Sequence, residues 1–101
     1  MATEIHPQEL RRRLGAGEAV YVLDVREPDE VVEWSFPGAV NIPLGELSNR
    51  AAELPSNLPI VVVCHAGVRS AAAADALVKA GWPAESLAGG AIAWISTDGN
   101  H

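Results

Sequence analysis

The chain has 101 residues, of which 49% are hydrophobic and 20% are charged, and its formal net charge at pH 7 is −6. This length gives one domain whose core can form without covalent cross-links. The negative charge argues against a nucleic-acid-binding protein, because such proteins carry a basic stripe. One cysteine and three scattered histidines form no disulfide within the chain and no zinc-binding pattern. We therefore expect no metal and no nucleic-acid partner.

No apolar run approaches the length that spans a bilayer, so no membrane partner is expected. The N-terminus also lacks the basic and apolar segments of a signal peptide. Together these features predict a cytoplasmic protein.

Strand and helix patterns alternate along the chain. The predicted strands are a short one at Ile5 and then Tyr21–Val25, Ala39–Ile42, Ile60–Val63 and Ser86–Ala88. The first predicted helix begins near His6 and ends at Gly15. The other predicted helices cover Pro28–Trp34, Leu44–Leu54, Arg69–Lys79 and Ala91–Ser96. This order predicts an α/β fold with a five-stranded, mainly parallel sheet flanked by helices on both faces. The tail from Thr97 to His101 is expected to be frayed.

Cys64 lies between an apolar strand and a helix, and four residues separate it from Arg69. The N-terminus of the helix offers unpaired N–H groups and a partial positive charge. Gly67 lets the loop turn, so that successive N–H groups point at one spot. The Arg69 guanidinium adds a fixed positive charge. A thiol in this setting ionises below its free pKa, so the sequence predicts a reactive thiolate at Cys64.

A cysteine that follows three valines is also typical of a small buried hydrophobic residue. The glycine, the arginine and the strand–loop–helix context favour the reactive thiolate over that interpretation. Ser70 has two interpretations as well, because its hydroxyl can form a hydrogen bond within the loop or cap the following helix.

Several segments resemble, in order, the motifs of the single-domain rhodanese-like sulfurtransferases. They are Leu23–Glu27, Phe36–Pro43, Cys64–Ser70 and Gly89–Trp94. The resemblance covers nearly the whole chain and implies one rhodanese-like domain over residues 1–101. It departs from the family at Trp34-Ser35-Phe36, where many members have Gly-His-Ile.

The resemblance implies a cofactor-independent sulfurtransferase whose nucleophile is Cys64. The thiolate takes sulfane sulfur as a persulfide from a donor such as thiosulfate or a protein persulfide. It passes this sulfur to a thiophilic acceptor, which is cyanide in the usual assay and can be a protein. The implied substrate-binding residues are His65, Ala66, Gly67, Val68, Arg69 and Ser70; the first five form a backbone cradle, and the Arg69 side chain favours anionic sulfur. The loop is one residue shorter than in phosphatases of similar fold, which disfavours phosphate or arsenate chemistry.

Asp24 and Arg26 are supporting candidates that can shape the mouth of the site. A structural role is favoured, in which Asp24 satisfies loop N–H groups and Arg26 pairs with Glu27, Asp29 or Glu30. The His65 side chain either tunes the thiolate or points outward. The tryptophans are assigned to core or rim packing.

An alternative function is that of a protein-interaction module, in which an acidic, tryptophan-bearing surface binds a partner and the thiol is incidental. The acidity of Glu30 and Glu33 also favours a protein persulfide over a small free anion as the donor.

Overall fold

A five-stranded parallel sheet forms the centre of the protein. The computed structural model describes residues 2–97. The strands are β1 (Glu4–Ile5), β2 (Tyr21–Asp24), β3 (Val40–Asn41), β4 (Ile60–Val63) and β5 (Ala84–Leu87). Their order across the sheet is β1-β5-β4-β2-β3, and every neighbouring pair is parallel. The predicted α/β fold is confirmed, although β5 begins two residues before the predicted start at Ser86 and ends one residue before the predicted end.

The helices follow the predicted order. They are α1 (Pro7–Gly15), α2 (Pro28–Glu33), α3 (Leu47–Arg50), α4 (Val68–Lys79) and α5 (Gly90–Thr97). Thr97 is the last residue of α5, and the rest of the tail that was predicted to be frayed lies outside the described residues. Within residues 2–97, no helix is both long and apolar enough to cross a membrane.

The prediction of one helix over Leu44–Leu54 was wrong. This segment consists of a 3₁₀ turn (Leu44–Glu46), the single α-helical turn of α3, and a second 3₁₀ turn (Ala51–Glu53). Gly45, Ser48 and Asn49 are weaker helix formers than alanine or leucine, so local propensity does not hold the segment in one helix. Short 3₁₀ turns are common where a helix cannot continue.

The side chains of the interior strands alternate between two hydrophobic cores, one on each face of the sheet. The first core contains Leu23, Val62 and Cys64 together with Leu47 of α3 and Leu77 of α4. The second contains Val22, Val61 and Val63 together with Leu10 of α1 and Trp94 of α5. Helices therefore cover both faces, as predicted, and Cys64 belongs to the face that α4 covers.

The first turn of α5 is seated directly against the loop that follows β4. The N–H of Ala91 donates to the carbonyl oxygen of Cys64 at 2.8 Å, and the N–H of Ile92 donates to that of His65 at 3.1 Å. Gly90 has φ of +59°, and a Cβ at this position would lie 2.5 Å from the Cys64 oxygen. Gly90 is therefore required both for its backbone conformation and for the close approach of α5 to the loop.

We predict that Gly90→Ala destabilises the fold more than Gly38→Ala. Gly38 has φ of +72°, and a Cβ added there would meet no other atom within 4 Å, so alanine costs only the left-handed strain of about 1–2 kcal/mol. At Gly90 the collision with the loop adds about 1–3 kcal/mol. Urea unfolding of the two variants measures the difference, and equal losses would contradict the proposed contact.

Candidate active site

The sulfur of Cys64 lies where the N–H groups of the loop converge. Cys64 directly follows β4 and is 1% exposed. Its Sγ accepts hydrogen bonds from the N–H of Gly67 at 3.1 Å and from the N–H of Ser70 at 3.3 Å. Gly67 precedes α4 with φ of +95°, a conformation that side-chain-bearing residues rarely adopt. The helix N-terminus thus directs otherwise unpaired donors at the sulfur.

Two opposing effects set the ionisation of this thiol. Burial raises the pKa of Cys64, whereas the Ser70 hydroxyl and the N–H groups of Ser70, Gly67 and Ala66 lower it. The hydrogen bonds outweigh burial, so the pKa of the thiol lies below its usual value. Hydrogen bonds to the charged form stabilise the thiolate. The arrangement can therefore stabilise a nucleophilic thiolate at a sulfur that is nearly fully buried.

A second buried hydroxyl supports the contact between Ser70 and the sulfur. The Oγ of Ser70 lies 3.4 Å from Sγ and 2.8 Å from the Oγ of Ser86 on β5. Both serines are at most 1% exposed. A thiolate has no proton, so Ser70 must donate to sulfur and can accept the proton of Ser86. Ser86 was not predicted as a site residue, although a serine within a buried strand is a signal for such a partner.

Arg69 is paired with a carboxylate that the sequence analysis did not assign to it. The two terminal nitrogens of Arg69 donate to the two oxygens of Glu30 at 2.7 and 3.0 Å. The hydrogen bond from Arg69 and the backbone hydrogen bond from Glu27 lower the pKa of Glu30 to about 2. The charge of Arg69 is therefore balanced by a neighbouring carboxylate at neutral pH.

Asp24 and Arg26 form a buried ion pair with each other, with N–O distances of 2.8–3.1 Å. The expected pairing of Arg26 with Glu27, Asp29 or Glu30 was wrong. Asp24 also accepts the backbone N–H of Arg26 at 3.0 Å, as expected of a carboxylate that satisfies loop N–H groups. Arg26 further donates to the carbonyl oxygen of Trp34 at 2.8 Å. Because both partners are nearly fully buried, this pair fixes the turn that follows β2.

A groove of about 260 Å³ lies between α2 and α5, next to the loop that follows β4. It is lined by Arg26, Glu30, Glu33, Trp34, His65, Ala91, Ile92 and Ile95. His65 is exposed and lies on this groove. Val68, the first residue of α4, is 77% exposed. Among the predicted site residues, the N–H groups of Ala66, Gly67 and Ser70 point at the sulfur. The side chains of His65, Val68 and Arg69 lie at the surface around it.

The tryptophans, Trp34, Trp82 and Trp94, pack against the two cores or at their rims, as predicted. Trp94 is buried, and Trp34 and Trp82 are partly buried against the two cores. The ring of Phe36 lies between Trp34 and Trp94, with centroid distances of 5.7 and 4.6 Å. This aromatic row links the groove to the core.

The comparisons with known proteins agree with the fold. Residues 6–97 match the rhodanese-like domain, and the chain belongs to this family. It is 34% identical over 95 residues to a sulfurtransferase of Allochromatium vinosum, covering 93% of this chain and 89% of that protein. It is 40% identical over 79 residues to the putative sulfur carrier protein YrkF of Bacillus subtilis, covering 78% of this chain and 43% of that protein. It therefore spans less than half the length of YrkF.

The crystal structure of a rhodanese-related protein from Thermoplasma volcanium has the same fold. The TM-score is 0.88 at 33% sequence identity, and the match covers 95% of this chain and 93% of that one. The rhodanese-like fold expected from the sequence motifs is confirmed.

We predict that Ser70→Ala raises the pKa of the Cys64 thiol and that Ser86→Ala raises it less. The first change removes a hydrogen bond to the charged thiolate, worth about 1.5–3 kcal/mol. The Ser86 change keeps the hydrogen bond from Ser70 to the sulfur but removes the hydroxyl that donates to Ser70. Because the thiolate is the reactive form, a higher pKa moves the rise of the alkylation rate to higher pH. Iodoacetamide alkylation measured against pH gives the midpoint for each variant.

Ser96→Ala is the matched control, because within residues 2–97 that exposed hydroxyl donates to the Ala93 carbonyl oxygen of α5 and not to the sulfur. Its alkylation midpoint is expected to equal that of the unmodified protein. A midpoint unchanged in Ser70→Ala would contradict a role of the hydroxyl in thiolate stabilisation.

Proposed function

We propose that this protein is a sulfurtransferase that carries sulfane sulfur on Cys64 as a persulfide. The donor is a species such as thiosulfate or a protein persulfide, and the acceptor is a thiophile, cyanide in vitro or a protein. The observation that carries the proposal is the convergence of the Gly67 and Ser70 N–H groups on Sγ at the end of β4. The sulfurtransferase of Allochromatium vinosum, similar over 89% of its length, supports the same class of activity.

The proposed reaction has two displacement steps. The Cys64 thiolate attacks the sulfane sulfur of thiosulfate, the S–S bond of thiosulfate breaks, and its electron pair leaves with sulfite. Cyanide then attacks the outer sulfur of the Cys64 persulfide, which releases thiocyanate and restores the thiolate. No external oxidant or reductant enters, and we propose that neither a metal nor an organic cofactor is needed.

The loop supplies the electrostatic support for both steps. The N–H groups that lower the pKa of the thiol also stabilise the thiolate as the leaving group of the second step. The carbonyl oxygens of Cys64 and His65 are occupied by the first turn of α5. The N–H groups from His65 to Arg69 that do not bind Sγ are candidate donors to the outer sulfur. We assign Asp24 and Arg26 the supporting role of holding the adjacent turn.

A protein-interaction module is the second candidate function. The observation that favours it is the groove beside the loop, where Ile92 and Ile95 are 50% and 49% exposed. The two functions are compatible if the groove receives a protein donor or acceptor. A cytoplasmic location remains part of the proposal, and cell fractionation tests it.

We predict that thiosulfate adds one sulfur atom to the unmodified protein and none to Cys64→Ala, because only the thiolate can accept it. Intact-mass spectrometry measures the addition, and added cyanide should remove the sulfur and release thiocyanate. Cys64→Ser is the matched variant, since it keeps a hydrogen-bonding atom in the pocket and is also expected to gain no sulfur. Failure of every sulfane donor to load the unmodified protein would reject the persulfide mechanism and favour the interaction module.

A further inference from the structure

Arg69, the arginine of the active-site loop, is held by a carboxylate. Its bidentate contacts to Glu30 are 2.7 and 3.0 Å long, and the two side chains are 34% and 30% exposed. A planar guanidinium that binds both oxygens of one carboxylate has much of its donor surface occupied. An anionic donor at the mouth of the site therefore meets a neutralised pair in place of a free positive charge.

Glu30 is itself fixed in this position. It is the third residue of α2, and its Oε1 accepts the N–H of Glu27 at 2.9 Å, while the Glu27 side chain accepts the Glu30 N–H. This reciprocal capping box holds the carboxylate at the helix N-terminus. The carboxylate is thus secured from two directions, by Arg69 and by the cap.

The remaining charges around the groove do not compensate for Glu30. Arg26 is engaged by Asp24. Glu33 lies on the groove, is exposed, and forms no ion pair within residues 2–97. The groove is also lined by the imidazole of His65 and by the apolar side chains of Trp34, Ile92 and Ile95. Glu33 is thus the carboxylate there without an ion-pair partner among residues 2–97, and most of the surface next to the thiol is apolar.

We propose that Glu30 is a specificity-determining residue that selects against free anionic sulfur donors. This proposal rests on the proposed function. It assigns the donor as a cysteine persulfide within a polypeptide, where an apolar residue and no acidic residue stands next to the donor cysteine. That apolar residue of the donor packs against Trp34, Ile92 and Ile95. The acidity of Glu30 and Glu33 alone already favoured such a donor; the pairing of Glu30 with Arg69 supplies the residue that enforces the preference.

The transfer from this donor balances without a further reactant. The Cys64 thiolate attacks the outer sulfur of the protonated donor persulfide, and a new S–S bond forms as that of the donor breaks. The electron pair leaves with the donor cysteine as a thiolate, and the proton stays on the transferred sulfur. One negative charge is present before and after the step, whereas thiosulfate brings two further charges to the same mouth.

We predict that Glu30→Gln raises kcat/KM for thiosulfate about tenfold, since one negative charge near the mouth is removed and Arg69 is released. Glutamine at this position still completes a capping box, so the fold is retained. Sulfur loading of Cys64 is compared for thiosulfate and for a blocked, uncharged peptide carrying a cysteine persulfide next to leucine. For the peptide the change is expected to stay within about twofold, because the protonated persulfide that reacts carries no charge for Arg69 to attract. Added salt should shrink the thiosulfate gain.

Two further charge variants act as controls. Glu18→Gln removes an exposed carboxylate that precedes the amino end of β2, at the sheet edge opposite Cys64, and is expected to change kcat/KM for neither donor. Arg69→Ala combined with Glu30→Gln should lose most of the thiosulfate gain, because the released cation is absent. A gain that persists in this double variant would overturn the role given to the ion pair.

The groove is tested separately. The double variant Ile92→Ser with Ile95→Ser should lower kcat/KM for the leucine peptide several-fold and leave kcat/KM for thiosulfate unchanged. The control is Val78→Ser at an exposed position on α4, which should change kcat/KM for neither donor. The proposal is overturned if Glu30→Gln leaves the ratio of the two donors unchanged, or if the groove variants affect both donors equally. Absence of sulfur loading from either donor in every variant would instead reject the proposed function, and the proposal with it.

Discussion

The site depends on stabilising a negative sulfur in a place that water barely reaches. Cys64 is 1% exposed, and burial alone would keep its thiol protonated. The hydrogen bonds from the Gly67 and Ser70 N–H groups and from the Ser70 hydroxyl reverse this preference. The N–H donors are rigid parts of the backbone at a helix N-terminus, so they do not have to reorganise around a charged sulfur. Much of the surrounding structure holds these donors in place.

Three parallel strands contribute to that support because their carboxyl ends meet at the same edge of the sheet. β4 leads into the thiol, β5 contributes the Ser86 hydroxyl, and β2 leads into the buried pair of Asp24 and Arg26. The first turn of α5 then binds the loop carbonyl oxygens through Ala91 and Ile92. With its carbonyl groups held on one side, the loop is free to direct N–H groups towards sulfur. The fold thus determines the direction of the peptide dipoles as well as the position of Cys64.

Most of the fold and the centre of the site could be predicted from local sequence. The strand Ile60–Val63 was predicted with its observed bounds because a bounded apolar run is a strong local signal. The segment Leu44–Leu54 failed because several weak helix formers compete there with tertiary contacts. The partners of Arg69 and Ser70 were not predictable in the same way. Glu30 is 39 residues from Arg69 and Ser86 is 16 residues from Ser70, and no local pattern couples such positions.

The pairing of Arg69 changes what an arginine in the loop implies. A sequence shows a formal charge, but a ligand responds to the summed field of all neighbouring groups. With Glu30 bound on both oxygens, the pair contributes a dipole whose effect falls off faster than that of a single charge. The close N–H groups around Sγ then dominate the stabilisation of sulfur, while the outer mouth carries the negative character of Glu33. In the proposed sulfur transfer, attraction for anionic sulfur is thereby confined to the N–H groups around Sγ, and it acts only on a sulfur that has reached them.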